Sequence, residues 1–149
     1  MSKGSVSATP TAMMAVEIMD PRGLIGSCEL EAVTQFRLLL LGIALAGYGR
    51  VVVSGARRTL VAQQRLYGEG RTPMECEAAG VPVSMCRPDL PQVTWCAPAD
   101  SKHVRGRGID ISWGIYKHVH WDAIATIAAA CGLTWGGEWK VRDYGHFEI

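Results

Sequence analysis

Three polar residues in the second half of the chain have the types and spacing of a metal site. His103 precedes Asp110 by seven residues, and His146 follows near the C-terminus. A catalytic zinc ion usually takes three protein ligands, histidine nitrogens and carboxylate oxygens among them, and leaves its fourth position to water. The alternative is that the histidines make structural hydrogen bonds and that Asp110 caps a turn. Residue types and spacing alone leave both interpretations open.

A further carboxylate, Asp143, lies three residues before His146. Metal-assisted hydrolysis needs a base close to the attacking water, and a carboxylate at this spacing can share the water without binding the metal. We therefore predict that Asp143 is the base. The alternative is a turn residue, in which case Glu138 or Glu148 would take its place.

Two strands must position these residues. Alternation over residues 108–112 places Ile109 and Ile111 on one face and Asp110 on the other, which predicts a half-buried strand with a polar face. A second short strand is predicted around residues 146–149. Gly106 and Gly108 lie between His103 and Asp110, a spacing that lets a turn fold back over the polar face of this first strand.

Helical periodicity surrounds the predicted strands. Apolar residues recur at helical spacing over residues 29–46, and a β-branched strand follows at residues 51–53. Thr59 is predicted to cap a second helix, and a third is predicted over residues 121–131. The mixed order of helices and strands indicates an α+β fold.

The chain divides into a short tail, one domain and a long loop. Residues 1–12 are small and polar and predict a disordered tail, with a single domain over residues 13–149. Residues 72–100 hold five of the seven prolines and predict an irregular loop. Its three cysteines, Cys76, Cys86 and Cys96, lack the paired spacing of a structural zinc site. The chain has five cysteines, an odd number, and no export signal is visible, so free thiols are the expectation, with at most two disulfides in the chain.

Composition excludes some classes of partner. Fifteen Lys and Arg residues nearly balance fourteen Asp and Glu residues, which gives no reason to expect binding to nucleic acid. The most apolar stretch, residues 38–46, is far shorter than the ~20 residues that span a bilayer, so no membrane insertion is expected. The first fifteen residues lack the apolar core of a secretory signal, so we expect synthesis as a cytoplasmic protein.

At the predicted site the sequence resembles the zinc D-alanyl-D-alanine metallopeptidases. This family includes VanY-type carboxypeptidases, vancomycin-resistance dipeptidases and phage L-alanyl-D-glutamate endolysins. Its pattern Ser-x-His-x-x-Gly-x-Ala-x-Asp is met over residues 101–110, with Gly108 in place of Ala, a small-for-small change. Its Asp/Glu-x-x-His pattern is met by Asp143 and His146.

Two further segments resemble the endolysin branch of the family. Residues 54–72 are similar to a run that begins Ser-Gly-x-Arg and ends Gly-Arg-Thr, and residues 135–139 are similar to a Trp-Gly-Gly-Asp-Trp turn. The Arg of the first run is ambiguous: counting from Gly55 favours Arg57, whereas counting back from Gln63 favours Arg58. We prefer Arg58 because the downstream match is longer. The resemblance covers about residues 30–149.

The resemblance implies a fold and catalytic roles. The fold would be a small antiparallel sheet with helices packed on one side and zinc in a cleft over the sheet, as in D-Ala-D-Ala peptidases and hedgehog-like proteins. One zinc ion per chain would be held by His103, Asp110 and His146. Asp143 would be the base, and Arg58 would stabilise the oxyanion.

The resemblance also implies substrate contacts. Ser101, Arg57, Gln63 and Trp135 are the predicted substrate-binding residues, and Trp139 is predicted to line the cleft beside Trp135. His118 and His120, outside the motifs, are predicted to belong to a solvated turn.

The function expected from the resemblance is that of a phage endolysin that cleaves the L-Ala–D-Glu bond of the peptidoglycan stem peptide. Such a protein would be a monomer held in the host bacterial cytoplasm until its release to the cell wall. The alternatives are a VanY-type D-Ala-D-Ala carboxypeptidase and a non-catalytic zinc-containing binding module.

Overall fold

The computed structural model describes residues 10–48, 51–112 and 120–149, and within them the chain forms five α-helices and four strands. The helices are α1 (Pro10–Met19), α2 (Leu30–Ala46), α3 (Leu60–Gly68), α4 (Pro73–Ala78) and α5 (Trp121–Ala130). The strands are β1 (Val52–Gly55), β2 (Gly108–Ser112), β3 (Thr134–Trp135) and β4 (His146–Glu148). Short 3-10 turns occupy Leu24–Ser27, Val83–Met85, Pro98–Asp100 and Gly136–Glu138.

The four strands form one sheet in the order β1-β2-β4-β3, with antiparallel neighbours. Ile109, Ile111 and Phe147 are buried on one face of the two central strands. Because side chains alternate along a strand, Asp110 and His146 lie on the opposite face. One face of the sheet therefore contributes to the core, and the other carries the polar residues.

The helices cover the apolar face of the sheet. Four residues of α2 are completely buried and share one core with Ile109, Phe147 and Ile124 of α5: Phe36, Leu39, Leu40 and Ile43. α2 also packs against α1 and α5. This arrangement confirms the predicted α+β fold, with a small antiparallel sheet and helices on one side.

Most of the predicted elements are present close to their predicted bounds. The helix predicted over residues 29–46 is α2, which Glu29 precedes, and the third predicted helix is α5. Thr59 caps α3 as predicted, since its side chain accepts a hydrogen bond from the backbone N–H of Ala62. The predicted strands are β1, β2 and β4.

Three elements were not predicted. β3 has only two residues, too few for a strand pattern, and it is defined by its pairing with β4. α1 begins at Pro10, inside the predicted tail, whose first nine residues lie outside the described residues. α4 lies inside the loop predicted as irregular and is stabilised by a capping box between Thr72 and Glu75.

The loop also contains a disulfide, contrary to the expectation of free thiols there. Cys76 of α4 bonds to Cys86, with a Cα–Cα distance of 6.5 Å. The chain turns back after α4, and a small separate core forms around this disulfide and Val81. Cys96 is free and exposed. Among the described residues, no helix combines the length and apolar character required to cross a bilayer.

Candidate metal centre

His103, Asp110 and His146 converge on one point above the polar face of the sheet. His103 Nε2 lies 3.1 Å from Asp110 Oδ1 and 3.2 Å from His146 Nδ1, and the latter lies 3.0 Å from Asp110 Oδ1. Metal bonds of ~2.0–2.1 Å at tetrahedral angles place neighbouring donor atoms about 3.3 Å apart. The three donor atoms therefore have the spacing of one face of a metal tetrahedron, and the group can hold a metal ion. These three residues are called the metal centre below.

Each histidine of the metal centre is oriented through its second nitrogen. His103 Nδ1 lies 2.7 Å from the carbonyl oxygen of Ala56, and His146 Nε2 lies 3.0 Å from Glu148 Oε2. If these nitrogens carry the protons and donate to the oxygens, the nitrogens that face Asp110 are left with free lone pairs. Carbonyl and carboxylate partners of this kind are typical of metal-bound histidines.

The electrostatic environment of the centre favours a positive charge. Burial lowers the pKa of His146, but hydrogen bonds with Asp110 and Glu148 outweigh it and raise that pKa to about 9. Burial raises the pKa of Asp110, whereas the hydrogen bonds from the two histidines hold that pKa well below its usual range. A metal cation would replace the protons between the histidines and Asp110, and the same carboxylates would attract it.

Strand pairing and loop contacts fix the three residues. Asp110 of β2 pairs directly with His146 of β4, so the two side chains project from the same face of the sheet. His103 arrives from the loop before β2 and is held beside β1 by Ala56. The carbonyl oxygen of His103 also accepts a hydrogen bond from the backbone N–H of Arg58. The centre thus depends on backbone pairing at all three positions.

Close packing explains two small residues in the motifs. A Cβ atom at Gly108 would lie 3.1 Å from His146 Cε1, and one at Gly136 would lie 2.6 Å from the carbonyl oxygen of Asp143. The first contact is tight and the second is a clash. The turn that contains Gly136 therefore packs directly behind His146 only because that position has no side chain.

Of the two arginines considered, Arg58 lies in the cleft of about 710 Å³ that contains the metal centre. Its Nη2 is 3.7 Å from Asp110 Oδ2, and its Nη1 donates to Gln63 Oε1 at 2.7 Å. Gln63 is buried and lines the same cleft, so it orients Arg58. Arg57 is exposed, and its side chain extends toward Gly106 and Cys28, away from the cleft lining.

Asp143 and Ser101 both line the cleft with the metal centre. Asp143 is exposed, and its backbone forms the turn into β4, with its carbonyl oxygen accepting from the N–H of His146. Of the two substitutes considered for the base, Glu148 also lines the cleft but contacts His146. Glu138 lines a second cavity.

The two tryptophans predicted to line the cleft are separated by the sheet. Trp135 of β3 pairs with Phe147, so it shares the helix-facing side of the sheet and packs against the core. It lines the second cavity, with Trp121 and Tyr144. Trp139 instead lines the cleft, and its ring centroid lies 5.0 Å from that of His146. Trp135 thus does not line this cleft, and its contact with the substrate stays a prediction.

Two residues that line the cleft, Glu148 and Trp95, were not predicted from the sequence to do so. Glu148 was considered only as a substitute base, although its position two residues after His146 on a strand places both on one face. Trp95, in the loop, lines the cleft and is largely exposed, and Arg71 is buried behind it.

The two histidines predicted to belong to a solvated turn lie away from the cleft. His120 is exposed beside Tyr48 in the second cavity, and His118 lies outside the described residues.

Residues 95–149 match a family model described as D-alanyl-D-alanine carboxypeptidase. The matched range includes the metal centre and Asp143, whereas Arg58 and Gln63 precede it. The fold resembles the crystal structure of the Serratia marcescens L-Ala D-Glu endopeptidase ChiX, with 24% identity over 86% of this chain and 84% of that chain and a TM-score of 0.46. No curated protein sequence matches the chain. The predicted resemblance to the D-alanyl-D-alanine peptidases is confirmed over residues 95–149.

Proposed function

We propose that this chain, similar to the D-alanyl-D-alanine peptidases over residues 95–149, is a zinc-dependent peptidase that cleaves the L-Ala–D-Glu bond of peptidoglycan. One observation carries the proposal: two histidines and one carboxylate present donor atoms within 3.2 Å of one another, in a cleft that is also lined by Arg58 and Asp143. Zinc prefers such a mixed nitrogen and oxygen ligand set.

A zinc ion held by the metal centre would polarise the scissile carbonyl group and lower the pKa of a nearby water molecule. Asp143, on the turn before His146, is proposed to accept the proton of the attacking water and to deliver it to the leaving amine. Arg58, oriented by Gln63, donates hydrogen bonds to the carbonyl oxygen as its negative charge develops. Ser101 binds the substrate at the cleft wall.

The choice of bond rests on the walls of the cleft, because the same catalytic residues serve endopeptidases and carboxypeptidases alike. The segments that resemble the endolysin branch contribute Leu66 and Trp139 to the cleft lining. These segments favour cleavage within the stem peptide. A role in phage lysis, storage in the host cytoplasm and a monomeric state remain predictions that go with this proposal.

A D-Ala-D-Ala carboxypeptidase is the second candidate, and the description of the matching family model favours it. A carboxypeptidase must bind the terminal carboxylate of its substrate. Lys102 and Arg142, which line the cleft, are cations that could do so.

Digestion of purified peptidoglycan separates these possibilities. We expect zinc-dependent release of fragments, abolished by a chelator and restored by added zinc, with a new N-terminal D-Glu detected by mass spectrometry. Free D-Ala without new D-Glu termini would instead identify the carboxypeptidase. Binding to peptidoglycan without any cleavage by the zinc-loaded protein would identify a non-catalytic module and reject both enzymatic proposals.

A further inference from the structure

Arg71 is a buried cation that the proposed reaction does not use. The residue is only 6% exposed, and its guanidinium carbon lies 3.6 Å from the centre of the Tyr67 ring. Nη1 donates to the carbonyl oxygen of Tyr67 at 2.6 Å, and Nη2 donates to that of Thr94 at 2.6 Å. Arg71 thus connects the end of α3 to a segment 23 residues further along the chain.

That segment, residues 93–96, forms one side of the cleft and is called the outer wall here. It is joined to Arg71 a second time, through Gln92. With the Gln92 amide oriented so that its oxygen faces the nearby donors, this oxygen accepts from Arg71 Nη2 at 2.8 Å and from Trp95 Nε1 at 3.2 Å. A chain of hydrogen bonds therefore runs from Arg71 through Gln92 to the indole of Trp95.

Gly70 allows this connection. Its φ of 71° lies in the left-handed region, and a Cβ atom there would collide with the backbone of Gln92. On the other side of the chain, Gly70 donates to the carbonyl oxygen of Arg87 in the segment that follows the disulfide. The end of α3, the disulfide-linked segment and the outer wall consequently meet at Gly70 and Arg71.

Trp95 is exposed despite this anchoring. Its residue is 60% exposed, and Val93 in the same wall is 47% exposed. An indole that is fixed through its N–H but leaves its apolar surface open loses little conformational freedom when a ligand covers it. Trp139 lines the same cleft from the turn before β4, so the cleft presents aromatic surface from two separate segments.

We propose that Trp95 is a specificity-determining residue that packs against the apolar part of the stem peptide, and that Arg71, through Gln92, is the positioning residue that presents it. This inference rests on the proposed peptidase function and adds a substrate contact from outside the metal centre. Because the contact forms on binding and changes little during the reaction, it affects KM more than kcat.

The test compares steady-state kinetics on the soluble disaccharide-tetrapeptide from peptidoglycan. We expect Trp95→Ala to raise KM by about three- to tenfold, the range for a lost aromatic contact, with kcat and zinc content unchanged. Gln92→Met and Arg71→Met are each expected to raise KM as well. When either is combined with Trp95→Ala, KM is expected to rise little beyond its value in Trp95→Ala alone. Arg71→Lys, which keeps the charge but loses the planar fork, replaces Arg71→Met if that variant does not fold.

Arg87→Met is the matched control, because Arg87 is an exposed arginine in the same region whose side chain donates to Ser84 and Cys86. It is expected to leave KM unchanged. Additive effects of Arg71→Met and Trp95→Ala, or a fall in kcat alone, would overturn the proposal.

Amide hydrogen exchange makes the positioning role testable independently of activity. We expect faster exchange at residues 93–96 in the Arg71 variant than in Arg87→Met. If the wild-type protein hydrolyses no peptidoglycan, the proposed function fails, whereas equal exchange in the two variants rejects the positioning role itself.

Discussion

The two sides of the cleft are held by different kinds of contact. On the metal side, strand pairing places Asp110 opposite His146. His103 is held by the hydrogen bond between its Nδ1 and the carbonyl oxygen of Ala56, and its own carbonyl oxygen accepts from the backbone N–H of Arg58. The outer wall is instead held by hydrogen bonds of long side chains. Arg71 donates to the carbonyl oxygen of Thr94, and the amide oxygen of Gln92 accepts from the indole N–H of Trp95.

This difference indicates which properties can vary independently. Backbone pairing fixes the strand positions of Asp110 and His146, so side chains outside the cleft have little influence on where these two residues lie. The outer wall depends on a few side chains and can be altered by single substitutions without disturbing the metal. We therefore expect substitutions on the metal side to affect metal binding and kcat, and those on the outer wall to affect KM.

The largest effect is expected for His146→Ala, which removes a ligand and leaves two donors. We expect loss of bound zinc and loss of activity to background, measured by elemental analysis and peptidoglycan digestion. His120→Ala, at an exposed histidine in the second cavity, is the control and is expected to keep one zinc ion per chain. A full equivalent of zinc in His146→Ala would show that the ligand assignment is wrong.

Asp143→Ala tests the separation of base and ligand on the metal side. We expect zinc content and folding to be unchanged while kcat falls about 10²- to 10⁴-fold, the usual cost of losing a general base. Loss of zinc would make Asp143 a ligand. Retained activity would transfer the role to Glu148, which lines the same cleft.

Arg58 and Arg57 form a matched pair of neighbouring arginines, one in the cleft and one exposed. Arg58→Ala is expected to lower kcat about 10²- to 10³-fold, as for the loss of an oxyanion donor, whereas Arg57→Ala leaves it nearly unchanged. The measurement is kcat for both variants at saturating zinc. The reverse order of effects would reassign the motif arginine to Arg57.

Glu148→Gln addresses the hydrogen bond that orients His146 on the metal side. The amide keeps the shape but removes the negative charge, so zinc affinity is expected to fall about 10- to 100-fold while the ligands stay in place. Competition with a chelator of known affinity measures this change. An unchanged affinity would mean that strand pairing alone orients His146.

The smallest effect on catalysis is expected from opening the disulfide behind the outer wall. A Cys76→Ser, Cys86→Ser double variant should lose about 2 to 3 kcal/mol of stability, the typical contribution for a loop of this size. Zinc content should stay at one equivalent, with any kinetic change confined to KM. Cys96→Ser, at the exposed free thiol, is the control for thermal unfolding. Loss of zinc in the double variant would show that metal binding depends on the outer wall, contrary to the proposed independence of the two sides.

The sequence by itself predicted the main helices, three of the four strands and the three residues that the structure brings together at the candidate metal centre. The alternation of apolar and polar residues over 108–112 and the helical spacing of apolar residues over 29–46 are local patterns. Each arises because a single strand or helix turns one face toward the core. The ligand motifs are local as well, since Asp110 and His146 each lie on a strand whose own pattern can be read.

Only the tertiary structure decided which neighbouring residues face the cleft. Arg58, and not Arg57, lies in the cleft, just beyond the irregular end of β1 where Gly55 pairs with Asp110. Trp135 lies on the helix-facing side of the sheet because it pairs with Phe147. The contacts of Arg71 join residues 23 positions apart, and the disulfide depends on how the chain turns back after α4. Such features follow from strand register and long-range packing, which local spacing along the chain does not encode.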